Sequence, residues 1–232
     1  MCLQSEKHGI AQRCRQFAAA PCGGLQLAEA RAVPAASVEP HGYPNVIPLP
    51  PPKKNRYLRR LDLTIRPIRR EEFPLLADFL YDAIYRSDPS SPLLRQIVEH
   101  PSLRIYIADF GTLPDDRCLV AQAEGHVVGM VWVRCIRAYG YIGEGIPEFV
   151  LSVAAPCRGQ DIGTRLMREM LQRLSAAGYP EASLSVQRRN PAVRLYRRLG
   201  FRTVKRTLEE YIMACDLRDT DSAVANRTAG TE

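Results

Sequence analysis

VLSVAAPCRGQDIGTRLM, residues 150–167, joins an apolar run to a helical pattern through a short loop rich in backbone donors. Val150 to Ala154 read as a buried strand, and Pro156 ends it. Arg158, Gly159, Gln160, Asp161, Ile162 and Gly163 then form the turn that opens a helix at Thr164. The first N–H groups of a helix have no partner within it, and together with the helix dipole they favour a diphosphate at that end. An ordinary tight turn explains the same residues equally well, so the loop alone does not decide the fold.

A second unit of the same kind follows at SLSVQRRNPAVRLYRRLGF, residues 183–201, with a buried strand, an Asn190-Pro191 helix start, a short arginine-rich helix and a Gly200 stop. Two such units in tandem resemble the GCN5-related N-acetyltransferase (GNAT) family. Arg158, Asp161 and Gly163 stand where its acetyl-CoA motif, (R/Q)xxGx(G/A), has its defining positions, and the second unit is similar to the family's NxxAxxLYxxLGF helix. Asp109-Phe110-Gly111, Leu119 to Ala121, Trp132-Val133-Arg134 and Glu209 to Met213 are similar to segments of one bacterial group. The resemblance runs from about Leu61 to Leu217. It implies an α/β (α+β) GNAT fold: a mixed, mostly antiparallel sheet of six to seven strands, about four helices on both faces, and central parallel strands splayed around acetyl-CoA.

Composition agrees with one domain plus tails. The 232 residues are 46% hydrophobic and 25% charged, enough for one good core. The formal charge is +7, but residues 1–60 hold nine basic and three acidic side chains, whereas 61–217 hold 21 and 19. Most of the excess therefore lies outside the domain, which argues against a nucleic-acid partner. Seven cysteines without CxxC or His-containing metal spacing read as reduced, cytoplasmic usage with no metal site. No run approaches the roughly 18 apolar residues of a membrane span, and no contiguous apolar segment near the N-terminus suggests a secretory signal.

Along the chain, residues 1–56 lack a sustained period and include the polyproline-like IPLPPPKK at 47–54, so a disordered extension is expected. An organellar transit peptide and a start codon assigned too far upstream are the other readings. A domain at 61–217 and a flexible tail at 218–232 follow. Within the domain the periodicities predict a strand at 63–68, a helix at 71–85 and a short helix near 93–100. Strands are then expected at 104–109, 117–123 and 127–137, the latter two joined by a Glu124-Gly125-His126 turn. Beyond the Gly-rich 140–145 loop come a strand at 147–154, a helix at 164–177, a strand at 182–187, a helix at 191–199 and a closing strand at 208–215.

The resemblance implies an acetyl-CoA-dependent N-acetyltransferase, in which an amine of unknown identity attacks the acetyl group directly in a ternary complex. It assigns acetyl-CoA to Leu151, Val153, Arg158, Gly159, Gln160, Asp161, Ile162, Gly163, Thr164, Asn190 and Tyr196, with the Val153 N–H near the thioester oxygen. It makes Glu148 the candidate base and Tyr196 the candidate acid. The plainer readings are a solvated strand-end carboxylate and a packed aromatic beside Val193 and Leu199. Asn190 either caps the following helix or touches the cofactor's amides, and Asn before Pro favours the cap. Ser185 is a candidate polar contact in the strand facing the cleft. Asp161 departs from the family's usual Gly and would repel phosphates by about 1 kcal/mol unless it points away or pairs with Arg158 or Arg165. Alternatively, it adopts a left-handed or capping conformation, which Asp tolerates. Cys157 replaces a common aromatic as a smaller packing residue.

For the acceptor, Tyr81, Tyr85, Tyr141, Asp82, Asp88 and Glu144 are candidates as an aromatic wall and cation-holding carboxylates, against the ordinary expectation of solvated or half-buried helix residues. Arg188, Arg189, Arg194, Arg197 and Arg198 form a basic cluster that would receive a phosphate or an acidic partner, or else a solvated helix face. Family members are often dimers, which extends the expectation to a homodimer. The competing reading is a non-catalytic acyl-CoA-binding or regulatory module with a degenerate loop, motivated by Asp161 and the long tail.

Overall fold

The computed structural model describes residues 63–85 and 94–218, so the expected extension at 1–56, most of the C-terminal tail and the candidate Asp88 lie outside the described residues. A seven-stranded sheet runs β1 (Thr64–Pro67), β2 (Arg117–Ala123), β3 (His126–Arg134), β4 (Glu148–Val153), β5 (Glu181–Gln187), β7 (Glu210–Asp216) and β6 (Arg202–Arg206) in spatial order. Every neighbouring pair is antiparallel except β4 and β5. Glu124 and Gly125 turn the β2–β3 hairpin with φ of 50° and 82°, the left-handed pair that a tight hairpin requires.

Helices cover both faces. On one face α1 (Leu75–Ala83) buries Leu76, Phe79 and Leu80 against Val120, Met130 and Trp132. On the other, α3 (Ile162–Ala176) buries Leu166, Met167, Met170, Leu171 and Leu174, and α4 (Val193–Arg198) adds Val193 and Tyr196. The spacing of those apolar positions is one helical stripe, and burying each large side chain contributes about 1.5–3 kcal/mol.

Four expectations change. The helix expected at 71–85 is a 3₁₀ turn at Arg70–Glu72 followed by α1, with Pro74 between them. The short helix near 93–100 is a 3₁₀ turn at Arg95–Glu99 leading into α2 (Pro101–Arg104), capped by the His100 side chain. The strand expected at 104–109 is instead a run of helical turns, in which Tyr106, Ile107 and Ala108 donate to Leu103 and Arg104 carbonyls. Leu103, Tyr106 and Phe110 are buried at helical spacing, which the alternating pattern of that stretch obscured. Finally, β6 was not anticipated: its RTVKR side chains are mostly exposed, as suits an edge strand, so no apolar alternation marks it. With 104–109 lost and β6 gained, the strand number stays at seven.

Candidate active site

The parallel pair β4–β5 is joined at a single register position, Glu148 opposite Ser183, where Ser183 N–H donates to Pro147 O at 2.9 Å. Beyond it the strands part. Ala154 N–H donates to Val128 O on the β3 side, so the alternation of an antiparallel ladder turns the amides of Val153 and Leu151 toward the opening. Those amides lie on an unpaired edge inside the sheet, the place where an extended amide-bearing ligand adds itself as a strand. At the end of the opening the Arg158 guanidinium folds back and donates to Val153 O at 2.9 Å.

The loop after β4 leads into α3 as the sequence suggests, although the helix begins at Ile162 rather than Thr164. Gly159 has φ of 76° with nothing near a hypothetical Cβ, and Gln160 is tied to Pro156 O. Asp161 sits at the N-cap in the left-handed region, φ 63° and ψ 3°, with no side-chain capping bond. Its carboxylate is exposed and pairs with neither Arg158 nor Arg165. Among the alternatives for this departure, the left-handed conformation is therefore the one adopted, and it is also why glycine suits the position. The first α3 amide with a helical partner is that of Arg165, which leaves those of Ile162, Gly163 and Thr164 directed at the loop. A Cβ on Gly163 would stand 3.4–3.7 Å from Leu151, Leu195 and Val153 side chains, so the helix start, β4 and α4 converge there.

Glu148 is the most unusual group in the cleft. It is 2% exposed, not the solvated strand-end carboxylate of the plainer reading. Tyr106 Oη–H donates to its Oε1 at 2.5 Å and Gly140 N–H to the same oxygen at 2.7 Å, while Oε2 is buried without a partner. Burial outweighs these donors and pushes the carboxyl up to about 7. Gly140 is required by this packing: a Cβ there would lie 2.7 Å from Oε1 and 2.8 Å from the backbone carbon of Leu184. Burial likewise raises the Tyr106 hydroxyl well above its usual value, so it stays protonated as a donor.

Neither Tyr106 nor Gly140 was among the residues singled out from sequence. The turn that carries Tyr106 is held by Arg134, 3% exposed, which donates to Ile105 O and Ala108 O at 2.9 and 2.7 Å and pairs with Asp116 at 2.7 Å. Trp132 Nε1–H donates to Tyr106 O, and Phe110 lies against both the Arg134 guanidinium and Phe73. The Trp132-Val133-Arg134 and Asp109-Phe110-Gly111 segments are thus a brace for the Glu148 partner. The signal that would have found Tyr106 is the Leu103, Tyr106, Phe110 spacing itself.

Other candidates fall into place differently. Tyr196 is 9% exposed, packs edge-on against Phe201 and makes no hydrogen bond through its hydroxyl, which burial pushes up to about 12. Asn190 Oδ1 accepts from Ala192 N–H at 2.9 Å, the capping role. Ser185 hydrogen-bonds Glu210 at 3.0 Å. Cys157 is fully packed in the core, and burial raises its thiol, so it is a packing residue with little thiolate. Glu144 is exposed and already engaged by Arg137 and the Tyr141 hydroxyl, which lowers its value as a cation holder. Tyr81 packs against the Arg95 guanidinium and is half-buried, as is Tyr85. Arg188 and Arg197 of the basic cluster, with Arg206, surround the Tyr211 ring at 5.5–5.8 Å. No group of three or more potential metal ligands occurs among the described residues.

Residues 114–203, from the approach to β2 through the first residues of β6, match the model of the acetyltransferase (GNAT) domain. Over that stretch the chain is similar to the GNAT family. Its fold is that of solved GNAT structures: the PaiA N-acetyltransferase of Thermoplasma acidophilum in complex with coenzyme A is 18% identical, covers 67% of this chain and 99% of its own, and superposes with a TM-score of 0.52. YncA of Salmonella typhimurium with its cofactor acetyl-CoA (16% identity, 67% and 94%, TM-score 0.48) and a GNAT acetyltransferase of Streptococcus pneumoniae (19%, 66% and 98%, 0.48) are similar as well. No curated protein matches the sequence. In GNAT terms the opening between β4 and β5 is the splay expected of the family's central parallel strands. No helix among the described residues is long and apolar enough to cross a membrane.

Proposed function

We propose that this chain is an acetyl-CoA-dependent N-acetyltransferase that acetylates a primary amine by direct attack within a ternary complex. The observation that carries the reading is Glu148: a buried carboxyl near neutrality, fixed through one oxygen and bare at the other, beside an unpaired strand edge. A binding module has no use for such a group, whereas a general base working near pH 7 needs it.

The residues present suit acetyl-CoA. The amides of Leu151 and Val153 would hold the pantetheine arm along the open edge of β4, and those of Ile162, Gly163 and Thr164 would receive the diphosphate at the start of α3. Gly159 and Gln160 shape the approach, and the Arg158 guanidinium, folded onto Val153 O, is within reach of the same opening. When bound, the cofactor supplies an activated acyl carbon as a thioester. Glu148 Oε2 takes one proton from the acceptor ammonium, freeing the lone pair that attacks that carbon. The Val153 N–H donates to the acyl oxygen as negative charge gathers on it. The Tyr196 hydroxyl, kept protonated by burial, would give its proton to the departing sulfur and would recover one as the acylated nitrogen sheds its second proton. Glu148 returns its proton to solvent. Asn190 contributes by capping the turn into α4 that carries Tyr196.

The test is thiol release from acetyl-CoA across a panel of amines, with the parent and Glu148→Gln side by side. Loss of a general base lowers turnover by about 10²–10⁴. Full turnover by Glu148→Gln would remove Glu148 from the chemistry.

A further inference from the structure

The face of the sheet that carries Glu148 continues as a polar stripe across β5 and β7. Ala182, Leu184 and Val186 of β5 belong to the core under α3, so strand alternation directs Ser183 and Ser185 to the Glu148 side. Tyr211 and Met213 of β7 pack toward α3 as well, which places Glu210 on the same side as Ser185, and the two are hydrogen-bonded. Ser183 stands directly beside Glu148, is 0% exposed, and its hydroxyl has no partner. Glu148 Oε2 next to it is equally bare.

Glu210 is a second half-buried carboxylate whose charge is felt at Glu148. Among the described residues its carboxylate accepts from Ser185, no ion pair reaches it, and the neighbouring Glu209 adds a further like charge. Two carboxylates on one polar stripe, one buried and one half-buried, with no cation paired to them among the described residues, are stable as a charged pair only when cations come from outside. A monoamine at Glu148 would leave Glu210 uncompensated, and an acceptor with a carboxylate near its amine would be repelled there. Glu210 lies opposite Gln187, four residues along β5 from Ser183, or about 13 Å at 3.3 Å per residue, before either glutamate reaches inward. That span suits a small aliphatic molecule better than two adjacent charges.

We propose that the acceptor is a small aliphatic diamine, its reacting nitrogen at Glu148 and Ser183 and its second ammonium held by Glu210 with Ser185. The proposal rests on the acetyltransferase reading and adds a specificity determinant to it.

The test uses the full-length protein, with acetyl-CoA binding established first by calorimetry. Thiol release is then compared for butylamine, 1,4-diaminobutane and 1,5-diaminopentane, and for peptides with a free N-terminus. The parent should prefer a diamine over butylamine by about tenfold in kcat/KM, the value of one charge-assisted contact. Glu210→Gln should bring that ratio close to one through KM, and Glu210→Asp should retain part of it, which a merely structural role would not produce. A ratio near one in the parent, a ratio that survives Glu210→Gln, or turnover confined to peptides would each overturn the proposal. Cofactor binding with no amine turned over would overturn it while leaving the cofactor site standing. Failure to bind acetyl-CoA would take down the acetyltransferase reading and this inference together.

Discussion

Replacing Tyr106 by Phe removes one of two donors from Glu148 Oε1 and leaves the ring in place. A hydrogen bond to a charged group is worth about 1.5–3 kcal/mol, and one pKa unit corresponds to 1.36 kcal/mol. The Tyr106 hydroxyl favours the ionised form, so its loss should raise the Glu148 carboxyl by about one to two units, from about 7 to roughly 8 or 9. At pH 7 the ionised fraction then falls from one half to roughly a tenth or a hundredth, and the rate to about one fifth or one fiftieth. The assay is kcat/KM for one amine acceptor from pH 5.5 to 9.5 at saturating acetyl-CoA, parent and variant in parallel so that titration of the acceptor cancels. The rising limb should move to higher pH, and the high-pH plateau should be approached by both. In Glu148→Gln that limb should disappear. A limb unmoved by Tyr106→Phe, or one that persists in Glu148→Gln, would refute the assignment of Glu148 as the titrating base.

Gly140→Ala places a methyl against Glu148 and the Leu184 backbone, which cannot retreat, so turnover should fall at least tenfold and stability by about 1–3 kcal/mol, read by kinetics and thermal melting. Glu148→Gln should be more stable than the parent above pH 7. The folded carboxyl keeps its proton up to about 7 whereas the unfolded one loses it near 4.5, so the parent loses about 3 kcal/mol as pH rises through that window. Denaturant titrations at pH 4 and pH 8 should show the difference vanish at the lower value. Asp161→Gly removes both a left-handed non-glycine residue and an exposed negative charge at the start of α3, and should tighten acetyl-CoA binding about fivefold by calorimetry, from about 1 kcal/mol of repulsion. Unchanged affinity would mean that the carboxylate lies clear of the phosphates.

What was legible in the sequence follows from where periodicity is strong. The loop at 155–163, helices α3 and α4 and strands β2 to β5 carry unmistakable apolar patterns, and their boundaries shift by no more than three residues. Turn chemistry also told: Asn190 before Pro191 caps, and Glu124-Gly125 turns a hairpin. The exposed edge strand β6 had no apolar pattern to read. Ile105, Tyr106 and Ile107 alternate with neighbours as a strand would, and only the tertiary bonds from Arg134 and Trp132 show that their carbonyls belong to a turn. Glu148 was found as a candidate by its place ahead of the cofactor loop, but its burial, its bare oxygen and the donors Tyr106 and Gly140 arise from tertiary packing that no local pattern records. Glu210 went unremarked because nothing local distinguishes a half-buried carboxylate at a strand end from a solvated one.

The measurement that bears most directly on the central claim is a calorimetric titration of the full chain with acetyl-CoA, followed in the same sample by mass spectrometry of an added amine. Saturable one-to-one binding and acceptor that gains one acetyl group in step with thiol release are the predicted result. Acetyl-CoA that binds and is never consumed across the amine panel, or that does not bind at all, would contradict the assignment of this chain as an N-acetyltransferase.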